Sequence, residues 1–250
     1  IRLSLVGSEM CIRDRIISLA KMLNKMGAKI TGYGTSKIIV NGCARLKGAN
    51  ITIPSDRIEA GTFALAVAAT GGKLKLKSIN IKEIDTIKKV LQNTDVEIKS
   101  SEKFVEIIKK NRVIHPIDIE TKPYPGFPTD LQAQFMALMA YSNGKSKIKE
   151  TIFENRFMHV QELVRLGAQI KLNSDTAIVN GARKLYGAPL MATDLRASAS
   201  LIIGALRAEG TSTIRRVYHL DRGFDKIEQK LSSCGAVSYT HLRAHETKAN

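Results

Sequence analysis

The run Tyr124-Pro125-Gly126-Phe127-Pro128-Thr129-Asp130-Leu131-Gln132 sets a carboxylate directly behind a stiff turn. Two prolines and a glycine restrict the backbone ahead of a helix start, so Thr129 or Asp130 falls at the N-cap. Two chemistries suit that place. Thr129 with Gln132 can form a capping box, as Asp56 can with Glu59. A carboxylate held on a rigid turn can equally serve as a general base, provided the fold points it into a cleft. The segment Phe153-Glu154-Asn155-Arg156-Phe157-Met158-His159 opens a further helix, and Glu154 there suits the positive end of a helix dipole. Asp194-Leu195-Arg196 and Asp221-Arg222-Gly223 put arginines at the starts of two more helices, where the dipole gives them nothing. They either bridge to the adjacent aspartates or form an anion site, since a guanidinium matches carboxylate and phosphate. His115, His159 and His219 lie far apart, and no P-loop, dinucleotide fingerprint or nucleophile elbow is present. Cys11, Cys43 and Cys234 are scattered and odd in number, which supports neither a disulfide framework nor a zinc site. No metal and no cofactor are expected.

The elements that must position these residues repeat along the chain. Segments 56–79, 130–152 and 194–218 each begin with aspartate, continue as an apolar-rich helical run, break near glycine and resume as an alternating strand. Leu131, Phe135, Leu138 and Met139 share one helical face, and Leu195, Ile202, Ile203 and Leu206 do much the same. An amphipathic helix follows each strand, over 82–92, 156–166 and 224–231. Gly27-Ala28, Gly167-Ala168 and Gly235-Ala236 read as left-handed helix stops. Hairpins are predicted over 29–41 and 169–180, each ending in Val-Asn-Gly. Such a unit is too large for a solenoid repeat, and the expected fold is a pseudo-threefold α/β domain of helix-strand-helix-hairpin units. Residues 1–15 and 237–250 break this grammar and resemble non-native flanking sequence, so the fold is expected within 16–236.

Composition limits the partners. With 250 residues, 44% hydrophobic and 25% charged, the chain can bury one sizeable core or two smaller ones. Without a long apolar run or a signal peptide it is expected to be cytoplasmic, with no membrane partner. The net charge of +16 favours anionic partners. Much of it alternates with apolar residues, as in Lys73-Leu74-Lys75-Leu76-Lys77, and reads as the wet face of strands. With aromatics at 5% and no recognition helix or zinc finger, nucleic acid is not the expected partner. Nothing in the sequence speaks to oligomeric state.

The segments 54–63, 125–134, 150–159, 191–200 and 219–223 resemble the enolpyruvyl transferases, in the branch that acts on UDP-N-acetylglucosamine. The resemblance covers nearly all of 16–236 in unbroken order. It implies two domains of three α/β units each that close over the substrates, with 16–53 a remnant of the first and 54–236 most of the second. The implied partners are UDP-N-acetylglucosamine and phosphoenolpyruvate. Asp130 resembles the aspartate that contacts the sugar 3-hydroxyl and takes part in proton transfer, which favours its functional role over capping. Ile152 matches a position contacting the sugar nucleotide and Glu154 a carboxylate that orders the cleft. Arg222 resembles the arginine that helps hold phosphoenolpyruvate, Arg196 a neighbouring cleft arginine, and Asp56 another cleft-side acid. The family's Lys-Asn pair and loop acid lie upstream of this chain, so the chain alone is expected to be inactive. The other readings are the shikimate-phosphate branch, in which Lys-Glu would replace Phe153-Glu154, and a basic nonenzymatic module that binds phosphate or nucleic acid.

Overall fold

Asp56 and Asp194 start two long helices by direct capping. The Asp56 carboxylate accepts from the amides of Ile58 and Glu59, and helix α2 (Arg57–Thr70) follows. Asp194 accepts from the amides of Arg196 and Ala197 at the head of α6 (Leu195–Arg207). Each carboxylate satisfies two donors that a helix start otherwise leaves orphaned. The corresponding helix of the middle unit, α4 (Gln132–Met139), is entered through a 3-10 turn, Thr129–Leu131, with no side-chain cap. The capping box expected from Thr129 and Gln132 is therefore absent, because Thr129 is engaged elsewhere.

The computed structural model describes residues 9–101, 104–111 and 113–238. Helices α2, α4 and α6 pack on one another at the centre. Every residue of α4 is buried, and α2 is buried from Ala60 to Ala69, as expected of helices surrounded by protein on all sides. Glycine permits the closest approach: a Cβ on Gly61 of α2 would overlap the Leu131 side chain at the entrance to α4.

Around this centre the repeat is visible as sheets. The first unit carries β3 (Gly72–Lys77), α3 (Asp85–Gln92, preceded by the 3-10 turn Ile81–Ile84), β4 (Glu97–Ser100) and β5 (Phe104–Lys109), in strand order β3-β5-β4. The second carries β6 (Ile119–Glu120), β7 (Lys145–Lys149), α5 (His159–Arg165), β8 (Gln169–Asn173) and β9 (Thr176–Asn180), in order β6-β7-β9-β8. The third carries β10 (Pro189–Met191), β11 (Thr213–Arg215), α7 (Tyr218–Asp221) and α8 (Ile227–Ser233). Strand β6 pairs in parallel with β7 across α4, and β10 with β11 across α6, so both units contain a β-α-β crossover. One hydrophobic cluster joins the three units, and a second seats α7 and α8 on α2 and α6 through Phe63, Ala199, Leu220, Phe224 and Ile227.

Most predicted elements appear where the repeat requires them. The glycines at the helix stops, Gly27, Gly167 and Gly235, have φ of 103°, 97° and 92°. In β3 the lysines are exposed and Leu74 and Leu76 half-buried, which agrees with the wet-face reading. The hairpin β4–β5 was not anticipated, although Val105 and Ile107 alternate into the core. The helix expected from residue 156 starts only at His159, and the one expected over 224–231 starts only at Ile227 as α8, with α7 ahead of it. Before α2, α1 (Glu9–Lys25) leads through a left-handed glycine to the short hairpin β1 (Lys29–Thr31) and β2 (Ile39–Asn41). Helix α1 thus crosses the expected boundary at residue 16. Residues 1–8 and 239–250 lie outside the described residues.

Candidate functional site

At the entrance to α4 a single carboxylate is held by two arginines from different parts of the chain. The Asp130 Oδ1 accepts from Arg156 Nη2 at 2.8 Å, and Oδ2 from Arg196 Nη2 at 3.1 Å. The side chains of Asp130, Arg156 and Arg196 are 9%, 24% and 22% exposed, so the cluster is recessed but open to one side. Arg156 comes from the turn between β7 and α5, where its guanidinium also lies 4.6 Å from the Phe153 ring centroid. Arg196 is the second residue of α6. Its carboxylate partner is Asp130 of the neighbouring unit rather than the adjacent Asp194, which is engaged in capping.

Two guanidiniums facing one carboxylate leave a surplus positive charge at this edge. Each carboxylate oxygen accepts from one of the two arginines. A recessed ion pair of this kind depends on all its members, because removing one leaves an uncompensated charge in a poorly solvated place.

The two segments carrying the cluster are tied together beneath it. Glu150 is 3% exposed, and its Oε1 accepts from the Thr121 hydroxyl at 2.9 Å and from the amides of Ile152 and Phe153 at 2.9 and 3.2 Å. Its Oε2 accepts from the Thr129 hydroxyl at 2.9 Å. Glu150 is not apparent as a site residue from sequence, where it is simply the last polar residue of an alternating strand.

Behind Arg156, His159 is fully enclosed beside Phe157, with ring centroids 6.4 Å apart. Burial pushes its pKa down to about 4, with nearby Asp194 opposing the shift and Arg156 adding to it. His159 is therefore a neutral residue supporting the cluster from inside.

Of the remaining predicted positions, Ile152 and Glu154 stand on the segment that carries Arg156, while Asp56 stands apart. Ile152 is half-buried and bound to Glu150 through its amide. Glu154 is exposed on the turn that carries Arg156. Arg222 is exposed at the end of α7, and among the described residues it makes no ion pair, so of the two alternatives the bridge to Asp221 is not formed. The next residue, Gly223, lies against Leu195, because a Cβ there would meet the Leu195 side chain, and this sets Arg222 beside the start of α6. Asp56 caps α2 and is exposed at a different helix start, where Lys230 of α8 pairs with Glu59 at 2.6 Å. Two surface hollows, one beside Tyr124 and Pro125 and one between α2, β3 and α8, do not include Asp130 or its arginines. Among the described residues no group of His, Cys, Asp or Glu is arranged to hold a metal, Cys43 and Cys234 are free, and no helix is long and apolar enough to cross a membrane.

This repeated α/β architecture is the fold of the enolpyruvyl transferases. The sequence model of the family described as EPSP synthase (3-phosphoshikimate 1-carboxyvinyltransferase) matches residues 5–231, and the chain belongs to that family. Among curated relatives it is 54% identical over 222 residues to the UDP-N-acetylglucosamine 1-carboxyvinyltransferase 1 of Mesorhizobium japonicum, covering 89% of this chain and 52% of that protein. It is 56% identical over 221 residues to the UDP-N-acetylglucosamine 1-carboxyvinyltransferase of Methylorubrum populi, covering 88% and 52%. The chain thus spans about half the length of the curated relatives it matches. Among solved structures, the enolpyruvyl transferase NikO from Streptomyces tendae superposes with a TM-score of 0.80 at 24% identity, over 89% of this chain and 53% of that one. An EPSP synthase from Acinetobacter baumannii does so at 0.70 and 20% identity, over 88% and 55%. At those identities the structural likeness speaks for the fold alone.

Proposed function

We propose that this chain supplies one wall of a UDP-N-acetylglucosamine 1-carboxyvinyltransferase, which moves the enolpyruvyl group of phosphoenolpyruvate to the sugar 3-hydroxyl and releases phosphate. The observation that carries the reading is Asp130 held between Arg156 and Arg196. The relatives that share more than half of the aligned residues bear that enzyme's name, which favours this branch over the shikimate-phosphate one.

In this reading Asp130 accepts the proton of the 3-hydroxyl as its oxygen bonds to C2 of phosphoenolpyruvate, and C3 gains a proton. The tetrahedral adduct then loses a proton from C3 as the bond from C2 to the phosphate oxygen breaks, which leaves the enol ether and phosphate. Arg156, Arg196 and Arg222 offset the carboxylate and phosphate charge of the substrate, which a preorganised site does without reorganisation. Ile152 and Glu154 border the sugar-nucleotide side, and Asp56 is kept as a capping residue with a cleft-side location. The second wall, with the acid that protonates C3, belongs to the remainder of the longer protein, and closure of the two walls excludes water. The substrates are soluble, and the reading places the reaction in the cytoplasm at the first committed step of peptidoglycan precursor synthesis.

The test is phosphate release from phosphoenolpyruvate by the protein extended to the length of its relatives, with UDP-N-acetylglucosamine or shikimate 3-phosphate as acceptor. Turnover with the sugar nucleotide, reduced by about a hundredfold or more in Asp130→Asn, is the expected result. Turnover only with the shikimate ester would assign the other branch.

A further inference from the structure

We infer that Glu150 is a positioning residue for this transferase, holding Asp130 and Arg156 in register through the backbone segments on which they stand; this rests on the function proposed above. Asp130 follows Thr129, whose hydroxyl donates to Glu150 Oε2, while the turn leading to Arg156 begins with Ile152 and Phe153, whose amides donate to Oε1. The two halves of the Asp130–Arg156 pair thus stand on segments joined beneath by a single carboxylate. Thr121 provides the third anchor. Its hydroxyl donates to Oε1 and accepts from the Thr151 amide, and its carbonyl accepts from the Thr151 hydroxyl, which docks the end of β6 beside the end of β7.

The geometry explains why a long acidic side chain stands at position 150. The group must accept four donors at once in a site only 3% exposed, and it must reach from the end of β7 to the turn at Thr129. A buried carboxylate so supplied with donors is satisfied without an ion pair. The same bond that holds the Ile152 amide fixes the main chain at the position assigned to the sugar nucleotide. Displacement of this carboxylate moves the base, its arginine and a sugar-contacting segment together, and misplacement of about 1 Å at such a site costs on the order of a hundredfold in rate.

The experiment uses the extended protein with phosphoenolpyruvate and UDP-N-acetylglucosamine, and reads kcat and KM together with the unfolding temperature. Glu150→Asp withdraws the carboxylate by one methylene, so the expected result is a kcat lowered about tenfold or more and a raised KM for the sugar nucleotide. Glu150→Gln keeps an oxygen for the three donors at Oε1 and an amide that the Thr129 hydroxyl can accept from, so it should stay close to the parent. Thr129→Val, which removes only the link on the Asp130 side, should lower kcat while Thr129→Ser restores it. Thr94→Val, which removes a buried hydroxyl that donates to the Leu91 carbonyl in the first unit, away from both arms of the pair, should cost stability with kcat retained. If Glu150→Asp and Thr129→Val keep the parent's kcat and KM in their folded fraction, or if Thr94→Val lowers kcat as much as Thr129→Val, the carboxylate is merely structural and the inference is wrong. Should Glu150→Asp not fold, the contrast between Thr129→Val and Thr94→Val decides. An inactive parent would instead count against the proposed function itself.

Discussion

One carboxylate balanced against two guanidiniums makes the Asp130 cluster sensitive to charge as well as shape. Asp130→Asn keeps the volume but leaves Arg156 and Arg196 without their anion, so a loss of turnover should come with measurable destabilisation. That differs from a simple cap, whose removal costs only about 1 kcal/mol. His159 offers a separate test by pH. Its pKa in the fold is about 4 against 6.5 when free, so the unfolded chain takes up a proton first as pH falls. Its contribution is fully present above the free value, and roughly 3 kcal/mol is lost as pH falls from there through the folded value. Carboxylates titrate over part of the same range, so the useful quantity is a difference between proteins. In His159→Phe, urea unfolding at about pH 7 and about pH 4.5 should show a smaller loss of stability on acidification than in the parent. An equal loss in both would remove His159 from the account.

Among the elements, the three central helices share a place in the repeat but start differently. Asp56 and Asp194 each cap two amides, whereas Asp130 pairs instead with Arg156 of its own unit and Arg196 of the next. Asp56→Ala and Asp194→Ala should each lower unfolding stability by about 1 kcal/mol, with Asp56→Ala leaving turnover of the extended protein nearly unchanged. A large loss of turnover in Asp56→Ala would return that residue to the chemistry. The packing of α2 against the entrance to α4 can be probed at Gly61. A methyl group there meets Leu131, the residue next to Asp130. Gly61→Ala should destabilise by about 1–3 kcal/mol in denaturant unfolding, since an enclosed site cannot absorb it without strain. A stability equal to the parent's would mean that the two helices stand farther apart than described.

For the whole molecule, the arrangement has one wall with an open side. Asp130 and the two arginines that hold it lie at one recessed edge, while the chain covers about half of each relative. This chain by itself should release no phosphate from phosphoenolpyruvate with UDP-N-acetylglucosamine, and the extended protein should, because positioning and water exclusion need both walls. Equal turnover in the two would show the second wall to be dispensable. The charge of +16 is spread over strand faces such as that of β3, and so should not give the steep salt dependence of a nucleic-acid binder. Retention of random DNA that falls sharply between low and moderate salt would favour the module reading instead.

The sequence alone determined the repeat, since helix and strand periodicities and left-handed glycine stops are local signals. Gly167 and Gly235 end helices where the pattern required it, and β3 alternates as its lysines demanded. It also marked Asp130 and Arg196, through their place at helix starts and through family resemblance. What it left open was how those residues pair. Thr129, Asp130 and Gln132 fit a capping box by spacing, yet the Thr129 hydroxyl goes to Glu150 and the Asp130 carboxylate to Arg156 and Arg196, the latter 66 residues away. Arg196 comes from the third unit, and Glu150 and Arg156 from beyond β7 in the second, so only the packing of α4 against α6 and β7 brings them within reach. The role of Glu150 was hidden for the same reason: a buried acid is recognised by the donors folded around it, and these come from segments that meet only in the tertiary structure.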